Sequence, residues 1–381
     1  MPERQRILLI TRNLPPLVGG MERLNWHMAD ELAKQAEVQL IGPRGAAALK
    51  PLSIALTEAP LKPLSLFLLV AFCKGLWIAL RWKPDVILAG SGLTAPIAWL
   101  LSKMCGARSA AYLHGLDITA NHRLYRKLWR PIFKKLDQVI VNSTPTQQLA
   151  LAAGVNRNNV SIVYPGVSLP ETSQPAESIA AFKEQHGLIG RKILLSVGRL
   201  TTRKGLREFV ERALPTIVKT EPDAVLVVIG EAPKNSLGAG IQSMESIEAQ
   251  AKQSGVVGHI RFLGVITDKN LLATAYEAAD VHVFPVRHIP DDPEGFGMVA
   301  IEAAAYGLPT VAFATGGIVD AVRHGESGYL AEENNYAELS QNILQLLQHS
   351  ITVERIQDFA QGFAWKYFGE GVFGALRGTY Q

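Results

Sequence analysis

Short apolar runs alternate with longer amphipathic stretches along most of this chain. Arg6 to Thr11, Glu37 to Ile41, Asp85 to Ala89, Ser109 to Leu113 and Gln138 to Val141 read as buried strands. Between them, helical spacing is found near Glu22–Lys34, Leu93–Met104, Arg123–Lys135 and Pro145–Ala153. This alternation predicts a parallel sheet covered by helices on both faces. A strand at Asn159–Val163 is followed by Ser168–Glu177, a polar, proline-containing segment expected to be an interdomain linker. The alternation then resumes. Strands are expected at Lys192–Val197, Ala224–Ile229, Ile260–Phe262, Val281–Phe284 and Thr310–Phe313. Helices are expected at Ile241–Gln253, Asn270–Ala278 and Met298–Tyr306, and over 331–348 with an apolar stripe at Leu339, Ile343, Leu346 and Leu347. The reading is α/β, with one domain over 1–170 and a second over 178–364.

One stretch departs from the alternation. Leu61 to Trp82 is nearly all apolar, interrupted by Lys74 and Gly75. A spanning helix needs about 20 apolar residues with few charges, so a transmembrane assignment is rejected. Two readings stay open: a core helix of the first domain, or a helix partly exposed to a membrane surface. In the second, Lys62, Lys74, Arg81 and Lys83 would meet anionic head groups. Charge bears on that choice. The net charge is only +4, yet residues 1–180 hold about 20 Lys and Arg against about 11 Asp and Glu. A basic first half suggests an anionic surface or acceptor. Nucleic acid is not expected, because basic and aromatic residues are not interleaved.

With 381 residues, 48% hydrophobic and 19% charged, the chain can bury two substantial cores. Its two cysteines, Cys73 and Cys105, form neither a metal spacing nor a disulfide framework, so a reducing cytoplasm is expected. The short run Ile7–Ile10 reads as a strand, not a signal peptide. No internal repeat or low-complexity tract is present.

The candidate chemistry lies in loops. Asp291 to Gly317 reads DDPEGFGMVAIEAAAYGLPTVAFATGG. Glu294 lies in a loop, Gly295-Phe296-Gly297 follows, and a helix starting at Met298-Val299 carries Glu302. Glycines let the backbone approach a ligand and turn N–H groups toward it. Carboxylates accept hydrogen bonds from hydroxyls. Two carboxylates flanking exposed amides suit a polyhydroxylated ligand. A second loop, Gly198-Arg199-Leu200-Thr201-Thr202-Arg203-Lys204-Gly205, follows a strand and offers cations to phosphate. A third, Asn13 to Gly20, gives a strand, a glycine turn and a helix, the usual opening of a nucleotide-binding α/β domain. It lacks the GxGxxG spacing of a dinucleotide site.

Glu-Gly-Phe-Gly, four residues, Glu-Ala, then Gly-Leu-Pro-Thr-Val resembles the signature of retaining glycosyltransferases of family four, which have the GT-B fold. The Gly-Arg-Leu…Lys-Gly loop at 198–205 resembles the same family closely. The chain as a whole is similar to bacterial mannosyltransferases of the phosphatidylinositol-mannoside type. The resemblance covers nearly the whole chain and is specific in the second domain. It implies two Rossmann-like domains facing a central cleft: an N-terminal acceptor domain and a C-terminal donor domain. Phe363-Ala364-Trp365-Lys366 resembles the family's closing motif, implying a return helix over about 365–381. It implies transfer of a hexose, from GDP-mannose or a UDP-sugar, to a hydroxyl of a lipid or envelope glycan, with retained anomeric configuration.

By the same resemblance, Arg199 and Lys204 would stabilise the leaving diphosphate. Glu294 would bind the donor sugar, Glu302 the nucleotide ribose, and Gly295 to Val299 would offer amides. Gly19 and Gly20 would approach the diphosphate, and the base would lie against Gly264-Val265-Ile266. His114, followed by Gly115, matches a catalytic His element, with Asp117 a weaker candidate. Ser168 stands where the family usually has Asp. The implied catalytic set is His114, Arg199, Lys204 and Glu294, with no cofactor beyond the donor. The chain contains no Asp-x-Asp, and Asp291-Asp292-Pro293-Glu294 is its nearest imitation, so no metal is expected. Rival readings are a non-catalytic nucleotide-sugar-binding partner and a nucleotide-sugar epimerase. The expected location is the cytoplasm or the periphery of the inner face of the cell membrane.

Overall fold

A computed structural model describes residues 4–49, 54–233 and 240–378. The chain forms two compact units. One is built from residues up to Gly166 together with the segment from Trp365 onward, the other from Val167 to Ala364.

Among the described residues of the first unit, seven strands run β1 (Arg6–Ile10), β2 (Glu37–Pro43), β3 (Ala55–Ala59), β4 (Val86–Ala89), β5 (Arg108–Leu113), β6 (Gln138–Val141) and β7 (Val160–Ile162). All pair in parallel in the order β3-β2-β1-β4-β5-β6-β7. The helices are α1 (Gly20–Gln35), α2 (Leu64–Trp82), α3 (Ala95–Cys105), α4 (Leu116–Thr119), α5 (Arg123–Leu128), α6 (Arg130–Phe133) and α7 (Thr144–Ala152). The polar edge strand β3 has no apolar run to announce it. The single helix expected over Arg123–Lys135 is two short ones. Pro131 occupies the first turn of α6, where its missing N–H costs nothing, but a helix running through it would lose a bond.

Among the described residues of the second unit, six strands run β8 (Lys192–Val197), β9 (Ala224–Ile229), β10 (Ile260–Gly264), β11 (Val281–Phe284), β12 (Thr310–Phe313) and β13 (Gly328–Ala331). They too are all parallel, in the order β10-β9-β8-β11-β12-β13. Its helices are α8 (Ala176–Gln185), α9 (Leu206–Arg212), α10 (Leu214–Thr220), α11 (Met244–Gln253), α12 (Lys269–Ala278), α13 (Met298–Ala305), α14 (Ile318–Ala321), α15 (Tyr336–Gln348) and α16 (Val353–Gln361). Buried strand residues such as Leu194, Leu226 and Val283 form its core with Phe209, Ile217 and Leu339 of the helices. The segment expected to be a linker belongs to this unit. The Gln174 N–H donates to Glu277 Oε2 at 2.8 Å, and Val167 pairs with Ala364 where the chain enters and leaves.

The last helix, α17 (Trp365–Arg377), completes the first unit by packing on α1. Trp365 stacks on His27 with centroids 3.9 Å apart and meets Phe368 edge-on at 5.5 Å. A Cβ on Gly166 would collide with its ring, so the chain can pass there only without a side chain. Trp365 is buried. Trp365→Ala should therefore cost the first unit about 3 kcal/mol, within the range for truncating large buried aromatics. A chemical denaturation curve checks this, and a midpoint equal to wild type would contradict it.

Helix α2 is buried on one face and exposed on the other, so each sequence reading describes one of its sides. Phe67, Ala71, Ile78 and Ala79 pack on the sheet with Leu8, Ile10 and Ile41. Yet Leu69, Trp77 and Leu80 are 60%, 57% and 58% exposed. By length and composition α2 could span a bilayer, but its buried face is part of the sheet's helical layer.

Candidate functional site

In an open parallel sheet, ligands bind beyond the strand C-termini where the strand order reverses. In the second unit that point lies between β8 and β11. The loop after β8 carries Gly198 to Gly205, and the loop after β11 carries Pro285 to Gly297. These are two of the stretches singled out by composition, and the fold sets them side by side.

Lys204 Nζ donates to Glu294 Oε2 at 2.8 Å. Arg203 Nη1 approaches the same oxygen at 3.0 Å and donates to the Pro293 carbonyl at 2.8 Å. Arg203 Nε lies 3.5 Å from Asp292. Side-chain exposures of 14%, 20% and 12% for Arg203, Lys204 and Glu294 place the cluster largely out of water. Burial alone would raise the Glu294 carboxyl. The Lys204 and Arg203 cations outweigh it and hold the group down to about 2. Arg199 is exposed, and its charge also favours the Glu294 carboxylate. The Lys204 ammonium lies 4.4 Å from the centre of the Phe284 ring.

Beneath the cluster, His282 on β11 is fully buried, with Nδ1 3.0 Å from Thr310 Oγ1. Burial and the nearby Lys204 charge push its imidazole down to about 3. It is neutral at physiological pH and adds no charge to the site.

Glycines hold the Glu294 loop. Gly297 caps α13 in the left-handed region, φ 93°, with no side-chain cap bond. The first N–H groups of a helix so capped are available to an anion. The Gly317 N–H donates to the Glu294 carbonyl at 2.9 Å. A Cβ on Gly317 would run into the Gly295 carbonyl, and one on Gly316 would meet the Glu294 backbone. Phe296 is buried in the core beneath, while Gly295, Met298 and Val299 are partly exposed. Glu302 lies one turn into α13, where the Tyr276 hydroxyl makes a long 3.5 Å contact with its carboxylate. Val265, just past β10, is 53% exposed.

In the first unit, the strand order reverses between β1 and β4. Gly19 caps α1 with no side-chain bond, Gly20 begins it, and Asn13 Nδ2 donates to Glu22 Oε1 at 3.0 Å nearby. His114 follows β5. Its Nε2 lies 3.0 Å from the Gly90 carbonyl at the end of β4. A carbonyl only accepts, so Nε2 carries a proton. The Asp117 carboxylate accepts from the His114 N–H at 3.0 Å, which fixes the turn.

Residues 178–363 match the family described as Glycosyl transferases group 1, and residues 18–170 match Glycosyltransferase Family 4. The chain belongs to the glycosyltransferases. It is 27% identical over 335 residues to a GDP-mannose-dependent alpha-(1-6)-phosphatidylinositol monomannoside mannosyltransferase of Mycolicibacterium smegmatis, covering 86% of this chain and 85% of that one. It is 30% identical over 251 residues to the D-inositol 3-phosphate glycosyltransferase of Acidothermus cellulolyticus, covering 63% of this chain and 53% of that protein. Among solved structures it resembles Anabaena HepE in complex with UDP, with a TM-score of 0.80, 20% identity and coverage of 98% and 100%. Sucrose-phosphate synthase from Thermosynechococcus elongatus gives 0.77 at 21% identity, covering 98% of each chain. These likenesses establish the GT-B fold.

In this glycosyltransferase the sequence motifs locate Lys204 and Glu294, which the structure joins. Arg203 was not singled out by sequence, yet it holds the Glu294 loop at three points. Gly317→Ala should shift that loop, because the new methyl has only backbone to displace. We expect the melting temperature to fall by several degrees and nucleotide-sugar affinity to fall at least tenfold, read by thermal melting and titration. Unchanged affinity would mean that the loop does not touch the donor.

Proposed function

We propose that this glycosyltransferase moves a hexose from a nucleoside-diphosphate sugar to a hydroxyl of a lipid or envelope glycan. The anomeric configuration is retained and no metal takes part. The observation that carries the reading is the buried Arg203–Lys204–Glu294 cluster beside the uncapped start of α13. A site with two cations and free helix N–H groups suits a diphosphate. A carboxylate held ionised at its centre suits sugar hydroxyls. The named relatives support the donor and acceptor classes: one is GDP-mannose-dependent and acts on a phosphatidylinositol mannoside.

In the reaction, the bond from the anomeric carbon to the diphosphate oxygen breaks while a bond to the acceptor oxygen forms on the same face. The acceptor proton passes to the departing phosphate. Arg199, Lys204 and the α13 amides stabilise the charge that develops there. Glu294 orients the sugar and Glu302 the ribose, and by the family resemblance His114 is the catalytic contribution of the first unit. Gly19, Gly20 and Val265 complete the donor contacts, the last against the base. The enzyme works on the cytoplasmic side of the membrane.

Thermal shift with GDP, UDP and ADP and their sugars tests the donor. At about 100 times the dissociation constant, the correct ligand should add about 2.7 kcal/mol. Turnover should survive EDTA, and NMR of the product should show a retained anomeric centre. Activity abolished by EDTA and restored by Mg²⁺, or an inverted product, would overturn the mechanism.

A further inference from the structure

A surface helix ordinarily turns its apolar stripe inward and its polar face to water. Helix α2 is apolar on both. Phe67, Ala71, Ile78 and Ala79 face the sheet. Leu66, Leu69, Cys73, Trp77 and Leu80 are all exposed. Their spacing, three, four, four and three residues, places them on one line along the outside of the helix. That line runs roughly 20 Å at the helical rise per residue. An exposed apolar strip of this length needs a cover.

The surroundings say which cover. Leu100 and Met104 of α3, which packs beside α2, are 44% and 53% exposed, and Leu124 and Leu128 of α5 are 55% and 50% exposed. These helices belong to the same layer, since Phe67, Leu101 and Phe133 share one core. Interleaved with the apolar residues are cations. Arg81 lies over the Trp77 ring at 4.5 Å. Arg123, Arg126, Lys127 and Arg130 line a shallow groove of about 400 Å³. The first unit as a whole holds 22 Lys and Arg against 10 Asp and Glu, a balance of +12, while the second unit is at −8. Two copies of this face would repel each other. An apolar strip carrying a Trp–Arg pair within a cationic field matches the boundary of an anionic bilayer.

We propose that the outer face of α2 lies in the surface of an anionic membrane. Leu69, Trp77 and Leu80 enter the acyl boundary, and the α5–α6 cations hold phosphate head groups. The inference rests on the lipid-acceptor reading above only for its purpose, and its test is separate. The wild-type protein is mixed with vesicles of phosphatidylcholine alone or with phosphatidylglycerol, and both flotation and labelling are measured. Labelling uses a charged maleimide on Cys73, which is exposed in the middle of the strip, in a Cys105→Ser background. We expect flotation with anionic vesicles only, slowed labelling of Cys73 in their presence, and at least a tenfold loss of binding in L69S/W77S and in R126E/K127E. Thermal shift by nucleotide sugar on the same preparations reports folding and the donor site. Donor binding without vesicle binding would remove the membrane proposal and leave the glycosyltransferase reading intact. Vesicle binding without donor binding would do the reverse. Flotation with unchanged Cys73 labelling would place the contact on another face and overturn the proposal. Cys73 protected by rising protein concentration alone would show that a second copy covers the strip, and would also overturn it.

Discussion

Lys204→Ala is expected to lower the rate of sugar transfer about 10- to 100-fold. A charge-assisted hydrogen bond contributes about 1.5–3 kcal/mol, and each 1.4 kcal/mol in the barrier is tenfold in rate. The ammonium sits in a largely buried cluster over the Phe284 ring, where water cannot replace it. The charge it answers grows as the diphosphate leaves, so the loss should fall mainly on kcat and less on KM. Arg203 keeps Glu294 paired in the variant, so the fold should survive. Single-turnover kinetics read the chemical step, and a change under threefold would exclude Lys204 from it.

Glu294→Gln should have the second-largest effect, and on a different quantity. The substitution leaves Lys204 and Arg203 close together without the carboxylate that both engage. Breaking a largely buried pair costs about 3 kcal/mol, or roughly 6–12 °C in the melting of a unit this size. The pH dependence separates charge from shape. Glu294 is depressed from 4.5 to about 2 in the folded protein. Such a group adds stability above its unfolded value, and that stability is lost as pH falls from about 4.5 toward 2. By linkage the loss is about 3 kcal/mol. Wild type should show this acid decline and E294Q should lack that part of it. Binding of a nucleoside diphosphate without sugar should tighten in E294Q, because the freed cations take the phosphates, while transfer falls. Parallel acid declines in the two proteins would show that the carboxylate is not held ionised by these partners.

Much of this architecture was legible because buried parallel strands are written as uninterrupted apolar runs. KILLSV and AVLVVI, β8 and β9, could hardly be read otherwise. The glycine-rich loops after β8 and β11 also stood out, and Lys204 and Glu294 do meet. Arg203 was hidden. It is adjacent to Lys204, and neighbouring side chains normally diverge. The short 3-10 turn at Thr202–Lys204 lets both reach one carboxylate. Edge strand β3 was missed because half-buried Thr57 and Glu58 look like loop. An outward face of α2 was one of two readings of its sequence, but which residues form it was not readable. When a helix is apolar all round, only tertiary packing decides which side is covered.

The return of α17 to the first unit has a consequence for how the chain is made. Residues 167–364, nearly 200 of them, lie between the rest of that unit and the helix that covers α1. At about 5–20 residues per second, a ribosome spends roughly 10–40 s making them. For all of that interval the α1 surface and the His27 ring wait without Trp365. The second unit, contiguous in sequence, has everything it needs first. Vectorial synthesis therefore reverses the written order, and the part of the molecule that begins the sequence is the last to be finished.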